Sequence, residues 1–174
     1  MQPVLETERL ILRRFVAGDA AFILRLLNEP SFIANIGDRG VRTLEEAERY
    51  LLDGPIASYE RHGHGLWVVA RKESPQPIGM CGLLKRDQLP DIDLGYAFLP
   101  EFWAKGYARE SSRAALEWAR SRRFGRIVAV VSPGNAPSIR LLEKLGFAFE
   151  RFTTMSPGAP DVALYGLRLD ATST

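Results

Sequence analysis

A single cysteine, Cys81, stands in a chain of 174 residues. One thiol closes no internal disulfide, and no Cys-x-x-Cys or Cys/His spacing suggests a zinc site, so nothing points to an oxidising compartment. Long apolar runs are missing as well, and none approaches membrane-spanning length. The first fifteen residues, Met1 to Phe15, lack the apolar core and small-residue cleavage site of a secretory signal. Charge of one sign is scarce: 23 Lys and Arg face 21 Asp and Glu, a net charge of +2, too little to argue for a nucleic-acid partner. These absences give the expectation of a cytoplasmic protein with neither membrane nor nucleic acid among its partners. The nucleotide loops GxxxxGK[ST] and GxGxxG do not occur.

With 46% hydrophobic and 25% charged residues, the composition is that of one globular domain, 1–174, with a core from about 6 to 169 and a short polar tail. Leu10 to Phe15 suits a strand. Asp19 can cap a helix with Phe22, Ile23, Leu26 and Leu27 on one face, which Pro30 ends. Thr43 and Glu46 fit a capping box opening a helix through Ala47, Tyr50 and Leu51, interrupted by Gly54 and Pro55. After a loop at Arg61 to Gly65, three strand-like runs (Leu66 to Arg71, Ile78 to Lys85, Ile92 to Leu99) predict an antiparallel meander. Tyr107 to Arg123 is an amphipathic helix with a small-residue stripe of Ala108, Ser111, Ser112, Ala115 and Ala119. Arg126 to Val131 follows as a buried strand, parallel to Ile92 to Leu99 by the strand, helix, strand order. A last helix carries Pro137 in its first turn and stops at Gly146. Phe147 to Phe152 and Val162 to Leu169 complete the sheet.

Chemistry concentrates at two junctions. The segment Leu99 to Arg109 joins a strand to a helix start, where unpaired N–H groups and the helix dipole suit a diphosphate; Gly106 permits close approach, and Lys105 and Arg109 add charge. In the strand Ile92 to Leu99, Asp93 shares a face with the small residues Gly95 and Ala97, which leave space beside it. His62 and His64 lack a third metal ligand and read as a flexible loop, so no metal is expected. Cys81 reads as a buried small hydrophobe, and Trp67, Trp103 and Trp118 as packing anchors. Arg120, Arg122 and Arg123 read as a solvated helix end.

Three stretches together, Ile92-Asp-Leu-Gly-Tyr96, Trp103-Ala-Lys-Gly-Tyr-Ala108 and Ser132-Pro-Gly-Asn135 through Gly146-Phe147, resemble the GNAT superfamily of acetyl-CoA-dependent N-acetyltransferases. More narrowly the chain is similar to the branch that acetylates ribosomal-protein N-termini, whose members also tend to open with a stretch like Thr7 to Leu10. The resemblance implies an α/β fold with a mixed, mostly antiparallel sheet of six to seven strands, splayed in the middle, and about four helices. It implies acetyl-CoA in the split, held by Ala97, Phe98, Leu99, Trp103, Ala104, Lys105, Gly106, Tyr107, Ala108, Arg109, Asn135 and Ser138. Asp93 sits where relatives often have a catalytic glutamate and becomes the candidate base; Ser138 becomes the candidate donor to the departing thiolate. Two departures stand out. Trp103 replaces the polar first residue of the usual cofactor loop, and Leu142 occupies the place of a tyrosine general acid, which leucine cannot replace.

Deprotonating a lysine-like amine at pH 7 costs about 4.6 kcal/mol, against about 1 kcal/mol for an α-amine. The expected acceptor is therefore an α-amine of a protein or peptide N-terminus, with a small amine (amino acid, polyamine or drug) as the alternative. A non-catalytic acyl-CoA-binding module is the reading from outside enzymology. Loops at Asp19 to Arg42 and Thr153 to Asp161 are expected to form the acceptor pocket. A monomer and a homodimer both remain open.

Overall fold

The computed structural model describes residues 2–169; the expected polar tail lies outside them. Two strands, Leu5–Glu6 (β1) and Leu10–Arg14 (β2), precede four helices: Ala20–Leu27 (α1), Pro30–Asn35 (α2), Leu44–Leu51 (α3) and Ala57–His62 (α4). Leu66–Arg71 (β3), Ser74–Leu84 (β4) and Ile92–Phe98 (β5) form the meander. Tyr107–Ser121 (α5), Arg126–Val131 (β6), Ala136–Lys144 (α6), Ala148–Thr153 (β7) and Val162–Arg168 (β8) complete the described chain. The sheet order is β1-β2-β3-β4-β5-β6-β8-β7. Every neighbouring pair is antiparallel except β5 and β6, which run parallel across the α5 crossover.

The class is the expected mixed α/β one, with two more helices and at least one more strand. β1 escaped notice because two residues carry no periodicity; it is fixed by pairing Leu5 with Leu12 and Glu6 with Ile11. Pro30 follows the end of α1, and it also opens α2, where its fixed φ and missing N–H cost nothing. Gly54 and Pro55 do not end the helical run. A π-helical turn over Leu52–Ile56 carries the chain into α4, its wider spacing accommodating a proline that lacks an N–H. Asp19 does not cap α1 with its side chain. Its carboxylate instead takes both ends of the Arg13 guanidinium at 2.8 Å and the Val16 N–H at 3.0 Å. The Thr43 and Glu46 capping box forms as expected.

Two cores cover the two faces of the sheet. On one, α5 lays Ser111, Ser112, Ala115 and Ala119, each fully buried, against Cys81, Leu94 and Ile127. Small side chains let the helix axis approach closely, and Ser111 satisfies its buried hydroxyl on the Tyr107 carbonyl at 2.8 Å. Leu142 of α6 packs into the same core. On the other face, Ile23 and Leu26 of α1 and Ala47 and Leu51 of α3 pack on Leu66, Val68 and Met80. His64 corrects the expected flexible loop: it is buried beside Trp118 and Phe124, with Nδ1 2.7 Å from the Leu83 carbonyl. Trp67 and Trp118 pack edge to face at 5.4 Å as anchors. Trp103 does not; it is half exposed, with its indole N–H on the Phe98 carbonyl at 2.8 Å.

Candidate active site

The parallel seam is short. β5 and β6 pair only at Ile92 with Ile127 and at Asp93 with Val128. Beyond that point the strands diverge, whereas β5 stays paired with β4 as far as Phe98. The β5 edge from Gly95 onward therefore faces no strand; Leu99 N–H bonds the Ile78 carbonyl, so alternation turns the Ala97 backbone to β4 and that of Tyr96 and Phe98 toward the gap, where the Trp103 indole takes the Phe98 carbonyl and the Phe98 N–H is left open.

β5 leads into a coiled loop that ends at the start of α5. Ala104 and Gly106 both adopt left-handed backbone conformations, with φ of +56° and +82°. Gly106 occupies the N-cap position and no side chain caps the helix. The first helical bond runs from Glu110 N–H to the Gly106 carbonyl, so the N–H groups of Tyr107, Ala108 and Arg109 precede it at the positive end of a fifteen-residue helix. Of the two expected cations, Lys105 folds back onto the Glu101 carbonyl at 2.9 Å. Arg109 is exposed and has no carboxylate partner among the described residues.

The N-terminal stretch Thr7 to Leu10 has a structural task at this loop. Thr7 Oγ1 donates to Glu110 Oε1 at 2.6 Å, and Arg9 reaches Glu110 through its backbone N–H at 2.9 Å and its Nε at 2.7 Å. Arg9 also donates to the Lys105 carbonyl at 2.9 Å and lies over the Tyr107 ring. The turn between β1 and β2 thereby clamps the loop and the first turn of α5 from the side. Sequence reasoning noted the stretch without finding this use, because its partner lies a hundred positions away.

Asp93 and Ser138 lie on opposite faces of β5. Alternation places Asp93 with Ala97, which packs in the α1 and α3 core, and Tyr96 with Leu94 and Phe98 in the α5 core. The Asp93 carboxylate is 1% exposed; Arg86 donates to Oδ2 at 2.6 Å, and Oδ1 has no hydrogen-bond partner. Burial raises its pKa to about 6 against the opposing pull of the Arg86 charge and of the Val130 backbone N–H, which points toward the carboxylate without closing a hydrogen bond. On the other face, Ser138 sits in the first turn of α6 with its Oγ 2.6 Å from the Tyr96 phenol oxygen. Tyr96 was read from sequence only as an apolar position, since an aromatic in an alternating strand looks like core. Asn135 accepts the Ser138 N–H on Oδ1 at 3.4 Å, as an N-cap does, and its amide NH₂ keeps both donors. Leu142 is 1% exposed and purely a packing residue.

A cavity of about 650 Å³ lies on the α1 and α3 face of the sheet. Val41, Tyr50, Arg61, Leu66, Leu84 and Lys85 are among its walls. Only Gly40 and Val41 come from Asp19 to Arg42, and nothing comes from Thr153 to Asp161. The π-helical turn keeps α3 and α4 continuous, and residues of both helices and of the turn line one wall of this cavity. Leu84 pairs directly with Asp93 across the β4–β5 ladder, so this cavity adjoins the buried carboxylate.

Comparison with known proteins converges on one family. The acetyltransferase (GNAT) domain matches residues 9–148, from β2 through the seam to the start of β7. An uncharacterized N-acetyltransferase of Bacillus subtilis strain 168, YoaA, is 31% identical over 154 residues, covering 86% of this chain and 85% of its own. Among solved structures, RimL, a ribosomal L7/L12 α-N-protein acetyltransferase in complex with coenzyme A, superposes with a TM-score of 0.83 at 17% identity, covering 98% and 99% of the two chains. Spermidine N-acetyltransferase from Vibrio cholerae, in complex with CoA and spermine, gives 0.75 at 21% identity, covering 93% and 96%. The family match thus spans the open β5 edge, the uncapped helix and the first turn of α6, and the chain belongs to the GNAT acetyltransferases: it is an N-acetyltransferase whose acetyl donor is acetyl-CoA.

Proposed function

We propose that this enzyme acetylates primary α-amines, at the N-terminus of a peptide or protein, by direct attack on the thioester within a single domain, 1–174. The observation that carries this reading is the Asp93 carboxylate, buried at the vertex of the seam with one oxygen held by Arg86 and the other unpartnered. A buried acceptor with no donor fits an incoming N–H group.

The residues present suit acetyl-CoA. The N–H groups of Tyr107, Ala108 and Arg109, with the loop Trp103, Ala104, Lys105 and Gly106, form a concave, uncapped helix start fitted to a diphosphate. Along the open edge beside Ala97 and Leu99, the Phe98 N–H offers a pantetheine arm a donor as an added strand would find it, and Asn135 has free amide donors for its amides. When bound, acetyl-CoA supplies an acetyl carbonyl attached to a good leaving thiolate. The amine nitrogen bonds to that carbon, and the carbon–sulfur bond breaks with its electron pair on sulfur. Before attack, Asp93 would take one proton from the acceptor ammonium, directly or through one water, and pass it to solvent, which frees the nitrogen lone pair; the second proton lost from nitrogen as the amide forms would go through solvent to the thiolate, leaving the thiol of coenzyme A. Ser138 donates a hydrogen bond to the departing sulfur from the opposite face.

A base of pKa about 6 is well matched to an amine near 7.8 and poorly to one near 10.4; the difference in deprotonation cost, about 3.5 kcal/mol at pH 7, is worth a several-hundredfold rate advantage. RimL is named for an α-N-protein substrate and the Vibrio cholerae neighbour for spermidine, so the fold accommodates both kinds of acceptor and the site chemistry decides. A mass-spectrometric assay at pH 7 with acetyl-CoA and three acceptors tests this: a lysine-free peptide with a free N-terminus, its N-terminally blocked counterpart containing one lysine, and spermidine. Faster acetylation of the free N-terminus is expected. Preference for the lysine side chain or for spermidine overturns it.

A further inference from the structure

We propose that Tyr96 is a positioning residue of the transfer reaction: its phenol O–H donates to Ser138 Oγ and turns the serine proton into the seam, toward the departing sulfur. The inference rests on the reading of Ser138 given above. Ser138 is a helix-start serine, and such a hydroxyl ordinarily folds back onto its own backbone. Here its Oγ makes no backbone bond among the described residues; its partner is the Tyr96 oxygen at 2.6 Å, forty-two positions away. The same phenol lies 3.4 Å from the Ser138 carbonyl oxygen. Of the two hydroxyls the phenol is the stronger donor and the serine oxygen the better acceptor, so the 2.6 Å contact is taken with Tyr96 donating and Ser138 Oγ accepting. The hydroxyl of Ser138 then has one lone pair fixed and its own proton free, where an unpartnered serine would have a freely rotating one.

Tyr96 is suited to a constant donor and unsuited to giving up its proton. Burial pushes its pKa to about 12, so it remains protonated wherever the enzyme operates, while its ring is held between Leu94 and Phe98 in the α5 core. It also bridges the seam. β5 belongs to one side of the gap and α6 to the other, and this hydrogen bond fixes the Ser138 hydroxyl relative to the strand whose open edge faces the thioester. The buried Leu142 leaves α6 without a phenol of its own; the strand presents one to the first turn of that helix instead.

A double-mutant cycle tests the inference, with kcat and KM measured on acetyl-CoA and the lysine-free peptide. Tyr96→Phe keeps the ring and removes one hydroxyl, and is expected to lower kcat about tenfold while leaving KM for acetyl-CoA unchanged. In the Ser138→Ala background the same change is expected to cost less than about twofold, because the group it orients is gone. A tenfold loss that persists in that background marks a merely structural phenol and overturns the proposal, as does an undiminished kcat in Tyr96→Phe alone. Wild-type turnover in Ser138→Ala overturns the reading of Ser138 itself and is recognisable before Tyr96 is considered. Should the phenylalanine variant not fold, 3-fluorotyrosine at position 96 serves as a stronger donor of nearly the same size. It is expected to raise kcat when Ser138 is present and to leave it unchanged in Ser138→Ala; no change in either background, or an equal change in both, overturns the proposal.

Discussion

Asp93 and His64 are buried titratable groups with pKa values displaced in opposite senses, and their effects on stability run against each other. Asp93 holds its proton more tightly folded than unfolded, so the native state is most favoured below about pH 4 and loses that advantage as pH rises to about 6. Its ionisation costs roughly 3 kcal/mol of stability at neutral pH. His64 is the reverse: burial lowers its pKa, so its contribution is intact above about 6.5 and is lost as pH falls below that value. Asp93→Asn is therefore expected to raise stability at pH 7 by up to about 2–3 kcal/mol, partly offset because Arg86 loses its partner. Urea unfolding between pH 4 and 7.5 checks it, and the variant should lose stability more steeply on acidification than wild type. Activity should move the other way. Asp93 must be ionised to accept a proton, so wild-type turnover falls as pH drops through about 6, and Asp93→Asn loses roughly a hundredfold to ten-thousandfold with that limb removed. Rate profiles from pH 5 to 9 would reveal a structural role instead if both enzymes kept the same shape. That Asp93 has space beside it could be read from its small neighbours on β5, and its candidacy as a base came from the family resemblance; that it is fully buried against Arg86 could not be read, since Arg86 precedes the strand across a turn.

At the scale of elements, the start of α5 and the β3–β4 hairpin make separate claims on glycine. Gly106→Asp sets a side chain and a negative charge where a diphosphate must approach, beside Arg9, and forces a left-handed position on a residue that resists it. Saturating acetyl-CoA should raise the Tm of the wild type by about 5–10 °C at a hundred times its Kd, and that shift should vanish in the variant. Calorimetry with and without acetyl-CoA decides it, and an unchanged shift would move the cofactor elsewhere. In β4, a Cβ at Gly82 would fall on the Gly65 carbonyl and stand 2.8 Å from Leu66 Cα, both backbone and unable to yield. Gly82→Ala is expected to cost about 3 kcal/mol, read as a lower urea midpoint. Elements whose evidence is local were legible: the Thr43 capping box, the stripe of α5 and the Pro137 start of α6 each declare themselves within a few residues. What depended on distant partners was not. The clamp of Thr7 and Arg9 on Glu110, the π-helical turn through Pro55 and the burial of His64 are set by tertiary contacts that no local period records.

For the whole molecule, the seam divides the sheet into two unequal plates, β1 to β5 and β6 to β8, joined edge to edge by two residue pairs. The sequence order made the parallel pairing legible, because strand, helix, strand leaves little alternative. How soon the strands part was not legible, as divergence is decided by what packs on each plate. The arrangement makes the sheet mechanically weakest along the line assigned to the pantetheine arm. A ligand lying there as an extra strand acts as a tie between the plates, so loading the enzyme stiffens it chiefly across this one line. Amide hydrogen exchange should show this as slowed exchange at Tyr96 and Phe98, whose N–H groups face the gap, on adding acetyl-CoA, with the β2–β3–β4 ladder nearly unmoved. It also gives product release a physical form. With the arm lying as proposed, departure of coenzyme A would withdraw the tie, and the plates would then be held together only by the two residue pairs of the seam and the α5 core packed across both.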